Sequence, residues 1–210
     1  MSVDPTTVPI RPAVSVIMLR DGDEGLEVFV QHRVSTMDFA AGAVVFPGGR
    51  VDPVDSEAAN GIEVADPDVH VDAWKESTIA EADAGWRVLL AAAVREVAEE
   101  TGAVLNPSLL RPWANWVTPL GQPKRFDTYF YIVSAEEADA PRHLTTEAHT
   151  SEWLPVTSIL ASEAAGDLML MRPTFVLLSE LAQLGSAAAV TSGERTIEVI
   201  RPEHPEHQER

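Results

Sequence analysis

The sequence predicts an α/β protein, an α/β/α sandwich over a mixed β-sheet. Three observations carry this expectation. β-rich runs stand before, between and after helical segments, in mixed order and not in strict alternation. One long stretch, Trp86 to Thr101, has helical periodicity and ends at a glycine. With 45% apolar residues in 210 positions, the chain can bury a core of single-domain size.

Taken in chain order, "AVSVIMLR" and "LEVFVQHR" are β-rich and separated by the turn-rich "DGDEG", which predicts a hairpin. "AGAVVFPGG" reads as a short buried strand running into a Pro-Gly-Gly loop. The next segment, "DSEAANGIEVADPDVHVDAWKESTIAEADAG", is acidic, lacks periodicity and contains a single lysine. Its composition predicts a solvated surface excursion with few core residues. Its position beside the candidate site leaves a lid or specificity role open.

Within the long helix, Trp86, Leu90, Ala93, Val94, Val97 and Thr101 share one face, and Gly102 is the C-terminal stop. Further strands are expected at "ANWVTP", "DTYFYIV" and "RTIEVI", and two helices at "VTSILASEA" and "PTFVLLSELAQL". No internal repeat of solenoid length is visible. One domain is expected over residues 1–200, with the acidic insertion at about 56–84. The tail 201–210 reads as disordered, its histidines as tail composition.

Thirty-three acidic against fifteen basic residues give a net charge of −18. That balance argues against nucleic acid or an anionic membrane as the main partner. A small anionic substrate would need a metal or a local basic patch. The absence of cysteine excludes disulfides, thiolate metal sites and a cysteine nucleophile. There is no basic region followed by an apolar run at the N-terminus, and no apolar stretch approaches the ~20 residues that span a bilayer. A cytoplasmic protein is the expectation.

The stretch with chemical content is "REVAEETG", residues 95–102. Glu96, Glu99 and Glu100 fall on one face in the last turns of the helix. Carboxylates are disfavoured there by the partial negative charge of unpaired carbonyls. Glu96 and Glu100 also repel one another across one turn, by roughly 0.2–0.5 kcal/mol. Such a segment is most often a solvated acidic helix end. A hard divalent cation such as Mg²⁺ would relieve both penalties, because it takes oxygen ligands and shares them with substrate phosphates.

"REVAEETGA" resembles the second half of the Nudix box, G-x5-E-x7-R-E-U-x-E-E-x-G-U with U apolar. Arg95, Glu96, Val97, Glu99, Glu100 and Gly102 match, and Ala103 fits the last position. "FPGGR" at 46–50 resembles the loop that opens the box, with Gly49 as its first glycine. The middle departs from the pattern. Asp55 stands where the first glutamate belongs, and 39 residues instead of seven separate it from Arg95. That glutamate is replaced by Asp55, by an insertion residue, or by nothing. The in-box insertion, "GAVVFPGG", "WANWVTP" and "KRFDTYFYIV" resemble the branch related to coenzyme A diphosphatases, although Asp38 sits where that signature has arginine.

The resemblance implies a hydrolase that attacks a diphosphate linkage with water, using Mg²⁺ or Mn²⁺ held by Glu96, Glu99 and Glu100. Gly48 or Gly49 would add a backbone carbonyl. Arg95 would orient a glutamate, its plainer reading being a surface pair with Glu99. Glu147 or Glu152 is the candidate general base, Glu147 the preferred one because Glu152 adjoins Trp153 and a strand edge. Lys124 and Arg125 are the nearest cations for a substrate phosphate, and Arg33 and Arg50 are further candidates; ordinary surface charge is the plainer reading. Trp113 or Trp116 could stack on a base, though core is the default for both. The implied partner is a nucleotide-type small molecule, coenzyme A or an acyl-coenzyme A first, with NADH, ADP-ribose or dinucleoside polyphosphates as alternatives. A homodimer is the assembly to test. Competing readings are a Nudix-fold module that binds a nucleotide without hydrolysing it, and an adaptor using the acidic insertion.

Overall fold

The computed structural model describes residues 8–34, 42–79, 85–135, 140–193 and 195–202. The expected hairpin forms from β1 (Ile10–Gly22) and β2 (Gly25–Arg33), with Leu19 opposite Val28 and Gly22 opposite Gly25. β3 (Ala43–Val45) lies against β2. The Gly-Gly stretch expected as loop is itself a short strand, β4 (Gly48–Arg50), antiparallel to β1. Two short helices follow, α1 (Pro53–Ala58) and α2 (Pro67–Ala73), each with proline in its first turn where no amide hydrogen is missed.

The long helix α3 spans Gly85–Thr101. β5 (Arg111–Val117) and β6 (Arg125–Ser134) form an antiparallel pair, and β6 runs parallel to β1 over ten residue pairs. β7 (Ala148–Pro155) pairs with β2, and α4 (Val156–Ala165) follows it directly. β8 (Met169–Leu170), α5 (Arg172–Leu184), α6 (Ala187–Thr191) and β9 (Val199–Ile200) complete the order. The strands make one mixed sheet, β8-β3-β2-β1-β6-β5-β9, with β4 on β1 and β7 on β2.

Period-two alternation along the central strands divides the core between the two faces. Val14, Val16, Met18, Tyr129, Tyr131 and Val133 face α3, where Leu89, Leu90, Ala93 and Val97 are buried. Ile17, Leu19, Phe130 and Ile132 face the opposite way, onto Ile159 of α4 and Leu177, Leu178 and Leu181 of α5. This is the expected sandwich. No helix among the described residues is long and apolar enough to cross a membrane.

One expectation is overturned. The acidic segment after the Gly-Gly strand supplies core residues: Trp74 is 1% exposed, His70 and Ala59 are also buried, and Ile62, Val64 and Ile79 pack against the α3 side. Trp74 Nε1 donates to the Tyr131 hydroxyl at 3.2 Å, and its ring meets both Tyr129 and Tyr131 edge-on. The apolar residues were hidden because they are few, lack a single period and sit among acids that stay in solvent. The helix α3 is buried over a wider arc than the one predicted face, with Leu89, Ala91 and Ala92 also buried. β7, β8 and α6 were not foreseen as elements, and Asp38 and the tail 203–210 lie outside the described residues.

Candidate functional site

Arg95 organises the carboxylate end of α3. Its Nε and Nη2 donate to the two oxygens of Asp55 at 2.8 and 2.9 Å. Its Nη1 donates to Glu96 at 2.9 Å and to Glu99 at 3.1 Å, and Nη2 also reaches the Arg50 carbonyl at 3.0 Å. Arg95 thus contacts Glu96 and Glu99 at once. Asp55, only 1% exposed, is the residue that meets it. Asp55 also accepts from the Asp52 amide at 2.8 Å and so closes the N-terminal cap of α1. Bonding to Asp55 holds the Arg95 pKa above its ordinary value.

Glu100 is 8% exposed and accepts from the Gly48 amide at 3.0 Å and from Gln31 Nε2 at 3.1 Å. Burial pushes its carboxyl up to about 7, the Gly48 amide pulls it down, and Glu96 and Glu147 raise it further. Glu96 is also raised, by burial first, with Arg95 opposing. Glu99 stays in solvent, its side chain 61% exposed. The two glycines have a steric reason. A Cβ at Gly48, where φ is +150°, would stand 2.2 Å from the Val14 carbonyl oxygen. A Cβ at Gly49 would stand 2.4 Å from Glu96 Oε1. Gly48 is thus held as glycine by the β1 backbone, whereas a side chain at Gly49 would displace the Glu96 carboxylate.

The glutamates open into a cleft of about 1090 Å³ that also receives Gly48, Gly49, Arg33, Arg50, Lys124, Arg125 and Glu147. Arg95 and Trp116 border the same space, whereas the alternative candidates Glu152 and Trp113 do not. Glu147 bonds Arg33 Nη2 at 3.2 Å, and its carbonyl accepts from Val34 at 3.0 Å. The preceding chain is tied to the helix end, where Arg142 and Leu144 amides donate to the Thr101 and Glu100 carbonyls. Glu152 instead pairs with His32 at 3.2 Å in β7 and is not a lining residue. Arg125 Nε donates to the Thr118 and Pro119 carbonyls, which holds its guanidinium at the wall. Trp116 borders the cleft, whereas Trp113 lies under Arg195, 3.9 Å from ring centre to guanidinium.

Three residues had no local signal: Gln31, whose partner Glu100 is 69 positions away, and the lining residues Arg11 at the start of β1 and Arg172 at the start of α5. Only strand register and helix placement bring them in. Among the described residues, no three acidic or histidine side chains gather closely enough to hold one ion as they stand. Arg95, Gly48 and Gln31 occupy the glutamate oxygens instead.

Residues 81–172 match the family model described as the NUDIX domain. This part of the chain is similar to a NUDIX domain. The match begins inside the acidic segment and runs through α3 to the first residue of α5. The NUDIX hydrolase crystal structure from Alicyclobacillus acidocaldarius superposes with a TM-score of 0.72 at 27% identity, over 88% of this chain and 97% of that one. The curated protein "Putative nudix hydrolase 7" of Caenorhabditis elegans is 25% identical over 195 residues, 88% of this chain. The chain spans 64% of that relative's length. The NUDIX domain of Shewanella oneidensis NrtR, solved with ADP ribose, shares the fold with a TM-score of 0.52 at 16% identity, over 87% of this chain and 93% of that one.

Proposed function

We propose that this chain is a divalent-metal-dependent hydrolase of the diphosphate linkage in a nucleoside diphosphate derivative. The observation that carries the reading is the Arg95–Asp55 clamp beneath Glu96, Glu99 and Glu100 at the mouth of a cleft that also holds cations. The donor set fits a hard cation. It is all oxygen, it lies on one helix face, and burial and mutual repulsion hold two of its carboxyls above their ordinary pKa. Glu96, Glu99 and Glu100 would hold Mg²⁺ or Mn²⁺, with Gly48 or Gly49 adding a carbonyl. A bound ion supplies charge neutralisation at the phosphate oxygens and a more acidic water.

The chain's own groups divide the remaining work. Arg95 sets the Glu96 and Glu99 carboxylates on the cleft side of the helix, itself fixed by Asp55. Glu147, exposed at the cleft and steadied by Arg33, takes the proton from the attacking water. Arg33, Arg50, Lys124 and Arg125 offer positive charge to the substrate's phosphates.

For the substrate itself, coenzyme A or an acyl-coenzyme A is the preferred reading, giving 3′-phospho-ADP and a 4′-phosphopantetheine product. Its support is the resemblance of "GAVVFPGG", the in-box insertion and "KRFDTYF". The test is hydrolysis of coenzyme A, acyl-coenzyme A, NADH, ADP-ribose and diadenosine polyphosphates with Mg²⁺ or Mn²⁺. The coenzyme A assignment fails if NADH or ADP-ribose shows a kcat/KM roughly tenfold higher, about 1.4 kcal/mol in transition-state binding.

A further inference from the structure

The cleft inverts the charge of the molecule around it. Among the described residues, seven lysines and arginines line it against five acids, in a chain of net charge −18. The acids lie on the α3 side, around Glu147, and at Asp52, whose carboxylate is 4.0 Å from Arg50. Three arginines stand across three adjacent strands. Arg50 of β4 is the partner of Ala13 on β1, Arg11 lies two residues earlier on β1 opposite Phe126, and Arg125 of β6 is the partner of Ile10. All three border the cleft. Asp52 offsets Arg50 in part, and Arg11 adds positive charge that favours an anion in the cleft.

The row is also displaced from the glutamates. Gly49, which touches Glu96, pairs with Val14, three residues along β1 from Arg11. At the rise of an extended strand that separation is about 10 Å. A phosphate held at the Arg11 end can therefore lie apart from the diphosphate on the same nucleoside.

We propose that Arg11, with Arg50 on the same face of the sheet, forms a subsite for a phosphomonoester that the substrate carries in addition to its diphosphate. The inference rests on the diphosphatase reading and narrows its substrate class. Arg11 is the specificity-determining residue of the row. It is exposed at the start of β1, whereas Arg125 braces a turn and Arg50 supplies the carbonyl that Arg95 uses.

Two measurements test it. In metal-free buffer, the affinities of adenosine 3′,5′-bisphosphate, adenosine 2′,5′-bisphosphate and AMP are compared by calorimetry for the wild type, Arg11→Gln and Arg11→Glu, with circular dichroism melts as the folding control. At least one bisphosphate should bind about tenfold or more tightly than AMP. That ratio should fall to within about threefold of unity in Arg11→Gln and reverse in Arg11→Glu. With metal, kcat/KM is compared within the pairs coenzyme A and dephospho-coenzyme A, and NADPH and NADH, where the same collapse is expected. Equal binding of all three nucleotides by the wild type, or a ratio unmoved by Arg11→Gln, overturns the subsite. A bisphosphate preference without turnover of any substrate supports the subsite and overturns the hydrolase reading alone.

Discussion

At the scale of the residue, Asp55 and Arg95 show what a sequence pattern conveys and what it omits. The pattern around Arg95 is local, three carboxylates at helical spacing, and it placed Glu96, Glu99 and Glu100 together on the cleft side of α3. The partner of Arg95 is 40 positions away and is a carboxylate one methylene shorter than the pattern expects, so only the folded chain distinguishes Asp55 from the other candidates. Asp55 is fully buried and accepts three hydrogen bonds, two from Arg95 and one from the Asp52 amide. Removing one partner of such a pair leaves an uncompensated buried charge, a loss of about 3–5 kcal/mol. Arg95 keeps part of its surface in solvent and retains Glu96 and Glu99, so Asp55→Ala should fall at the low end, about 3 kcal/mol in urea unfolding. Loss under 1 kcal/mol would mean that Asp55 does not anchor Arg95.

At the scale of the element, α3 was legible because sixteen consecutive residues carry one period and a terminal glycine. β7 was not, since "AHTSEWLP" is mostly polar on a strand that is paired but little buried. The acidic segment misled for a related reason: its composition describes its outer surface, while its fastening to the sheet depends on single residues. Trp74→Ala should cost about 3–5 kcal/mol, the range for emptying an aromatic site in a core that cannot collapse. A protein destabilised by less than 1 kcal/mol would return the segment to the solvated excursion that its composition suggests.

The same element predicts a pH effect. His70 lies against Trp86, with ring centres 5.2 Å apart, and near Tyr131; burial lowers its pKa to about 4, with Asp66 opposing. A base depressed on folding stabilises the native state above its unfolded value, near 6.5, and that contribution is lost as pH falls through 6.5 towards 4. The loss is on the order of 3 kcal/mol. His70→Phe keeps the stacked ring without the titration. Its melting temperature should therefore fall less than that of the wild type between pH 7 and pH 4.5. Equal falls would show that His70 is not held neutral.

At the scale of the whole molecule, the mixed sheet and its two helical layers were expected from element order alone, because the alternation of apolar residues assigns each strand's faces. What element order cannot convey is which distant strands become neighbours. The parallel pairing of β1 with β6 sets Arg11 and Arg125 on adjacent strands, and the pairing of β1 with β4 adds Arg50. The cleft's cationic side is a product of that register, and no stretch of sequence contains it. Its anionic side is a single helix end and could be read directly. The central claim is that this helix end exists to hold a divalent cation for hydrolysis of a diphosphate. The most direct measurement is turnover of a diphosphate-linked nucleotide by the wild type, Glu99→Gln and Glu100→Gln, titrated with Mg²⁺ and with Mn²⁺. The account predicts no turnover without metal, saturable activation in the wild type, and a loss of at least about a hundredfold in each variant at saturating metal, roughly 2.7 kcal/mol. Near-normal turnover by both variants, or wild-type turnover indifferent to metal, would contradict it.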